Sequence, residues 1–347
     1  MSIAREQLIA AVQQNCHIAD ALHARNMTLC NYLLEMREYY RWEAGLPLSS
    51  PPPRAEVGRW IAARERYWNE LEDCEFSPLP VGGEDLDPFA SDAINLALLP
   101  HGLVYGAGFG RFHQPHFFLA ELERRELRDG VVILVSGREV ARDLSAAPAA
   151  IRAGTVYLRR EALTRWLWER AEAWDGQQRD GALKRALAHY GYDTDRQGAI
   201  ARMSAAEGET LILHELGEHA AGRLLGENWE EMLAGFSSKR AEILARAVRD
   251  NLADCLSTLP ALLEREASAS LHFWFANFEG MRRALFPRLV EAYAPWRERG
   301  ESAALAAAIA AGTGHWQDVG RRLLALQRQD GGEAQIEALA AADTLAL

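Results

Sequence analysis

Helical periodicity runs through most of this chain and breaks in one place, and that interruption constrains the fold more than any other feature. Between residues 102 and 160 lie Gly130-Val-Val-Ile-Leu-Val-Ser-Gly137 and Thr155-Val-Tyr-Leu158, β-branched runs beside glycines that read as buried strands. Residues 138–152 between them carry a helix-like pattern, so the middle of the chain predicts a βαβ-like or mixed sheet. On the N-terminal side, Leu8, Val12, Ala19, Leu22, Leu29, Leu33 and Met36 recur at three- and four-residue spacing, predicting one long or two broken helices over 3–44. Pro47 and the Ser-Ser-Pro-Pro-Pro run at 49–53 stop them. A further helix is expected over 54–73, with Val57, Trp60, Ile61, Trp68 and Leu71 inward, followed by a Pro- and Gly-rich extended loop over 76–92. Helical patterns resume over 161–174, 180–190, 206–225, 228–235, 238–265, 268–293 and 302–328. The expected fold is mainly α, a multi-helix domain with a small mixed β-sheet inserted in the middle of the chain. Its segments are an N-terminal helical part (1–75), a loop and small α/β part (76–160), a C-terminal helical part (161–330) and a tail (331–347), packed as one compact unit.

With 347 residues, 49% hydrophobic and 25% charged, the chain can bury a substantial core. Its net charge of −11 argues against nucleic-acid binding, which needs clustered Lys and Arg against phosphate. Cys16, Cys30, Cys74 and Cys255 lack metal-type or redox spacing and suit free thiols in a reducing compartment. No signal-like or membrane-spanning apolar run is present, so a cytoplasmic protein that does not enter membranes is expected.

The segment Thr210-Leu-Ile-Leu-His-Glu-Leu-Gly-Glu-His219 packs two histidines and two carboxylates into six residues behind an apolar run. Helical residues advance by about 100°, so His214 and Glu218 stand about 40° apart, with Glu215 and His219 at about 100° and 140° from His214. A His and a carboxylate one turn apart can grip one metal ion, and a neighbouring carboxylate can act as base or further ligand. The flanking Leu211, Ile212, Leu213 and Leu216 draw these polar groups toward the interior. A later helix offers Glu242, Arg246, Asp250 and Asp254 at four-residue intervals, an acidic stripe from which Asp250 or Asp254 could complete the shell, or an ordinary ion-pair ladder.

Two further constellations stand out. Cys16, His17, Asp20, His23 and Met27 fall within about 120° on the first helix, where Asp20 could orient His17 or His23. Tyr105-Gly-Ala-Gly-Phe-Gly-Arg111 places Gly106, Gly108 and Gly110 at alternate positions before Arg111, a tight turn or a weak anion site, with Pro115 suited to open a helix behind it. His113, His116, Glu121 and Glu123 follow as possible ligands or acid–base groups. The spacing matches neither the dinucleotide fingerprint nor a P-loop.

His214-Glu-Leu-Gly217 resembles the opening of the zinc metallopeptidase helix His-Glu-Leu-Gly-His, in which two histidines bind zinc and the glutamate activates water. Here Glu218 stands where the second histidine would be, and His219 comes one residue later, so the pair becomes His214 and Glu218, suiting iron or manganese as well as zinc. Across most of its length the chain also resembles an uncharacterised bacterial family of similar size, through residues 20–35 to Trp42-Glu43, Gly102-Leu-Val-Tyr-Gly-Ala-Gly-Phe-Gly110 and Arg246-Ala-Val-Arg-Asp-Asn-Leu-Ala-Asp254. The leading expectation is a metal-dependent enzyme acting on a small molecule or peptide, with hydrolysis favoured. Its metal ligands would be His214, Glu218, Asp250 and Asp254, with Glu215 and His219 as catalytic groups and zinc, iron or manganese as cofactor. The alternatives are a dinuclear iron oxidoreductase and a non-catalytic helical binding or scaffold protein.

Overall fold

A computed structural model describes residues 5–177, 179–340 and 343–347. The expected helix start at residues 3 and 4, and residues 341 and 342 of the tail, lie outside them. The chain divides into two compact units, one ending at Trp168 and the other beginning at Glu169. The described residues are mainly helical with a mixed sheet.

The N-terminal unit runs α1 (Arg5–His23), α2 (Leu29–Glu43), α3 (Arg54–Asn69), β1 (Leu79–Val81), β2 (Glu84–Leu86), α4 (Ser91–Leu98), β3 (Leu103–Phe109), β4 (Pro115–Arg128), β5 (Val131–Arg142), β6 (Ala149–Arg152) and β7 (Thr155–Arg159). The first helical region breaks at a 3₁₀ turn, Ala24–Asn26. Leu8, Val12, Cys16 and Ala19 form one stripe of α1, buried with Leu103, Tyr105, Phe117, Leu119 and Ala141 of the sheet. Other members of the expected stripe do not reach the core, since Leu22, Leu29 and Leu33 are exposed.

The large sheet has the order β3-β4-β5-β7-β6, antiparallel except for the parallel β5–β7 pair. The expected helix over 138–152 is not there. Those residues continue β5 to Arg142, turn, and form β6. Their helix-favouring composition is overridden by pairing, of the end of β5 with β4 and of β6 with β7. Gly106 and Gly108 lie within β3, and Pro115 opens β4 instead of a helix. Each of the three alternate glycines makes room for a side chain crossing the strand: Phe118 over Gly106, Arg152 over Gly108 and His116 over Gly110. Close packing, rather than a phosphate cradle, accounts for them.

α5 (Arg160–Asp175) spans the boundary between the units. The C-terminal unit follows with α6 (Ala182–His189), α7 (Arg196–Leu225), α8 (Asn228–Gly235), α9 (Lys239–Ala253), a π turn (Asp254–Thr258), α10 (Leu259–Glu264), α11 (Ser268–Asn277), α12 (Gly280–Leu285), α13 (Pro287–Arg299), α14 (Ala303–Gln327) and α15 (Gly332–Leu339). The expected 268–293 helix is therefore three shorter ones, the last opened by Pro287 at a position where a missing N–H costs nothing. Asp195 and Ser238 cap α7 and α9, their side chains accepting from Gly198 N–H and Ala241 N–H. Trp229 and Trp316 are fully buried in this unit's core with Leu244, Ala245, Val248 and Leu252 of α9.

Candidate metal centre

Two local features bring α7 and α9 into register. Gly217 faces Ala253, and a Cβ there would collide with the Ala253 carbonyl oxygen, so glycine permits the closest approach of the two backbones. At the end of α9, Leu259 N–H donates to Asp254 O, the five-residue reach of a π turn. Pro260, next in line, has no N–H and cannot continue an α-helical ladder. The turn keeps Asp254 and Thr258 in the interior, both almost completely buried.

Across this contact His214, Glu218 and Asp250 each offer a ligand atom, all within 4.8 Å of one another. His214 Nδ1 lies 2.9 Å from Asp254 Oδ1, and Nε2 lies 3.4 Å from Glu218 Oε1. Asp254 is a carboxylate that orients the ring, and its second oxygen is paired with Arg282 of α12. Arg249 Nη2 stands 2.7 Å from Glu218 Oε1 and 3.2 Å from Asp250 Oδ1, bridging two of the three candidate ligands. Glu242 accepts from Arg246 at 2.7 Å, a rung of the expected acidic ladder. Glu215 is buried at 7% exposure beside the cluster. His219 is not among the converging atoms.

The charges explain the protonation of the group. Four carboxylates face two guanidinium groups and one imidazole, and all are withdrawn from water. Burial pushes the Glu215 carboxyl up, and the Glu218 charge beside it pushes further, to about 8. Asp250 is raised for the same two reasons. Burial acts against a charged His214, yet Asp254 and Glu218 outweigh it and hold the imidazole well above its ordinary value. Burial also opposes charge on Glu218 and Asp254, but Arg249 and His214 keep the first, and Arg282 and His214 the second, below the usual carboxylate range. Protonation of Glu215, Asp250 and His214 is thus favoured, where a cation would otherwise balance the acids.

The other sequence-derived candidates lie in the N-terminal unit with different partners. Cys16 is buried and donates to Phe117 O. His17 packs against Arg64 and Trp68, and burial, with Arg64 beside it, lowers it to about 3. Asp20 accepts from Leu144 N–H rather than orienting either nearby histidine. Met27 lines a cavity of about 380 Å³ with Tyr32, Glu65 and Trp68. Glu121 joins Arg5 and Arg138, and Glu123 pairs with Arg160. The Arg111 side chain lies outside the described residues. Sequence reasoning missed Arg249 and Arg282. The first sits off the i, i+4 stripe and reaches α7 by its length, and the second comes from a helix with no periodic link to the site.

Two family models cover almost the whole chain: the family of unknown function DUF6866, by its N-terminal domain over residues 7–159 and its C-terminal domain over residues 164–343. The chain belongs to this uncharacterised family. No curated protein and no solved structure matches it. No described helix is long and apolar enough to cross a membrane.

Proposed function

We propose that the C-terminal unit holds a divalent cation on His214 Nε2, Glu218 and Asp250, and that the protein is a metal-dependent enzyme of hydrolytic type acting on a small molecule or peptide. The observation that carries this reading is the orientation of His214. Asp254, itself anchored by Arg282, holds Nδ1, so the other nitrogen is turned toward Glu218, with Asp250 in the same group, the arrangement that prepares a histidine for a metal. The excess of buried carboxylate over cationic groups supports it further. One nitrogen and two oxygen donors suit zinc, iron or manganese.

A cation held there would supply Lewis acidity and lower the pKa of water. Glu215, one residue from His214 and shielded from solvent, is the group in this cluster suited to accept a proton once a bound cation has lowered its raised pKa. His219, half-buried and not among the converging atoms, is left for substrate contact.

Arg249 favours a second reading. By bridging Glu218 and Asp250 it already neutralises part of the cluster, as a purely structural charge network locking α7 to α9 would require. Elemental analysis of untagged protein beside His214→Ala separates the two. The metal reading expects about one zinc or manganese, or one to two iron, lost in the variant. Folded wild type that carries no metal and takes up no added zinc, manganese or iron would leave the structural network.

A further inference from the structure

The cavity of about 380 Å³ beside Met27, in the N-terminal unit, has the make-up of a ligand site. Its volume falls within the roughly 300 to 1,000 Å³ of small-molecule pockets, which combine apolar walls with a few polar groups. Met27, Leu29 and Trp68 supply the apolar part, and Tyr32, Glu65 and Glu72 the polar part. Among the described residues, no lining side chain is basic.

The wall is fixed from behind. Trp68, buried in the N-terminal unit, donates from Nε1 to His17 Nδ1 at 3.3 Å. Burial, with Arg64 beside it, keeps His17 uncharged, so one ring nitrogen can accept the indole proton. The Tyr32 hydroxyl donates to Glu65 Oε1 at 2.9 Å, tying α2 to α3 at the cavity. A ligand therefore meets an indole ring and a carboxylate whose positions are already set.

The field in the cavity has one sign. Two helices end here, since Ala21 lies in the last turn of α1 and Trp68 in the last turn of α3. Helix carboxyl ends carry partial negative charge. α2 begins here as well, but the Thr28 side chain accepts from Asn31 N–H and so satisfies one of the donors that would draw an anion. Two carboxylates and two helix carboxyl ends favour positive charge, and the faces of the Trp68 and Tyr32 rings favour the same sign. Leu29, 71% exposed, carries the apolar wall out to the surface.

We propose that this cavity binds a small organic cation, a primary ammonium carried on an apolar body. The ammonium donates charge-assisted hydrogen bonds to Glu65 and Glu72, and the carbon skeleton packs on Trp68, Met27 and Leu29. An anion would be repelled by both carboxylates, and a neutral molecule of the same shape would forgo the charge-assisted bonds. His17 is a positioning residue that holds the indole ring. The site is separate from the metal centre, whose residues all belong to the C-terminal unit.

Isothermal titration calorimetry of the full chain tests this, with phenethylammonium and n-hexylammonium as probes and EDTA present so that no metal contributes. Both probes should bind saturably with millimolar or tighter Kd. 2-Phenylethanol, with the same ring and chain length but no charge, should bind at least about tenfold more weakly. Glu65→Gln, at an exposed position, should weaken phenethylammonium by at least about tenfold while leaving the urea midpoint unchanged. In wild type the Trp68 indole N–H resonance, assigned by its absence in Trp68→Phe, should move on addition of the probe. Failure of both ammonium probes to saturate would overturn the proposal, as would equal binding of 2-phenylethanol, undiminished binding in Glu65→Gln or a Trp68 resonance that stays in place.

Discussion

Each unit contains a histidine whose Nδ1 stands 2.9 Å from a buried aspartate backed by an arginine: His214, Asp254 and Arg282 in one, His116, Asp143 and Arg159 in the other. The inner halves of these arrangements are nearly alike, and the difference lies in what Nε2 meets. In the C-terminal unit it meets carboxylate, with Glu218 Oε1 at 3.4 Å and Asp250 in the same group. In the N-terminal unit it meets the bare backbone of Gly110. A buried aspartate therefore prepares a histidine without deciding its use. Carboxylates in front of the ring are what a cation would need, and the backbone of Gly110 supplies none.

The sharpest way to break this comparison is to count metal. His214→Ala should abolish stoichiometric binding, whereas His116→Ala should leave metal content unchanged, because among the described residues His116 joins no group of three candidate ligands. Asp254→Asn removes the charge that orients His214 and pairs with Arg282, and should weaken affinity about 10- to 100-fold, read by competition with a chromophoric chelator. Equal losses in His116→Ala and His214→Ala would erase the distinction between the sites.

Arg249 sharpens it next. Substituting Arg249→Met leaves Glu218 and Asp250 facing each other without their bridging cation, and should destabilise the metal-free protein by about 3 kcal/mol in urea denaturation. Saturating zinc or manganese should recover most of that loss, since it neutralises the same oxygens. Destabilisation that no metal relieves would favour the structural network.

Gly217→Ala tests the scaffold. Its Cβ would meet the Ala253 backbone, which cannot rotate away, so the α7–α9 contact must open. A loss of about 2 kcal/mol is expected, in the range of other overpacked sites, together with weaker metal binding as Glu218 and Asp250 separate. A stable variant with unaltered metal affinity would show that the helix contact does not set the site.

These experiments bear on features of unequal legibility in the sequence. His214, Glu218 and Asp250 were readable because helical periodicity converts spacing into direction, and the apolar flanks turned that face inward. The inserted sheet was readable from its β-branched runs. The extent of β5 was not, because Arg138-Glu-Val-Ala-Arg142 has the composition of a helix and becomes a strand only through pairing with β4. Nor was the His116–Asp143 pair, since the partners stand 27 residues apart on adjacent strands and register is a tertiary property. Arg282 is hidden for the same reason. It reaches Asp254 from another helix, and neither residue's neighbours in sequence announce the meeting.

The smallest effect expected is in pH dependence, where the two carboxyls nearest the comparison should respond in opposite directions. In the metal-free protein Glu215 is raised from 4.5 to about 8, chiefly by burial and then by Glu218. Between those values the native state holds a proton that the unfolded chain has released. Its stabilising contribution is complete below the unfolded value and disappears as pH rises to about 8, with a slope of at most about 1.4 kcal/mol per pH unit. Asp143 shifts the other way. Burial opposes its charge, but His116 and Arg159 hold it below 3.8, so its contribution is present above that value and is lost as pH falls. Glu215→Gln should accordingly flatten the decline in urea midpoint between pH 5 and 7.5, whereas Asp143→Asn should flatten the decline below pH 4. Bound metal should abolish the first effect and leave the second, because a cation takes the place of the protons retained in the C-terminal cluster and has no such place beside His116. If metal left both slopes unchanged, the protons favoured in the C-terminal cluster would not stand in for a cation.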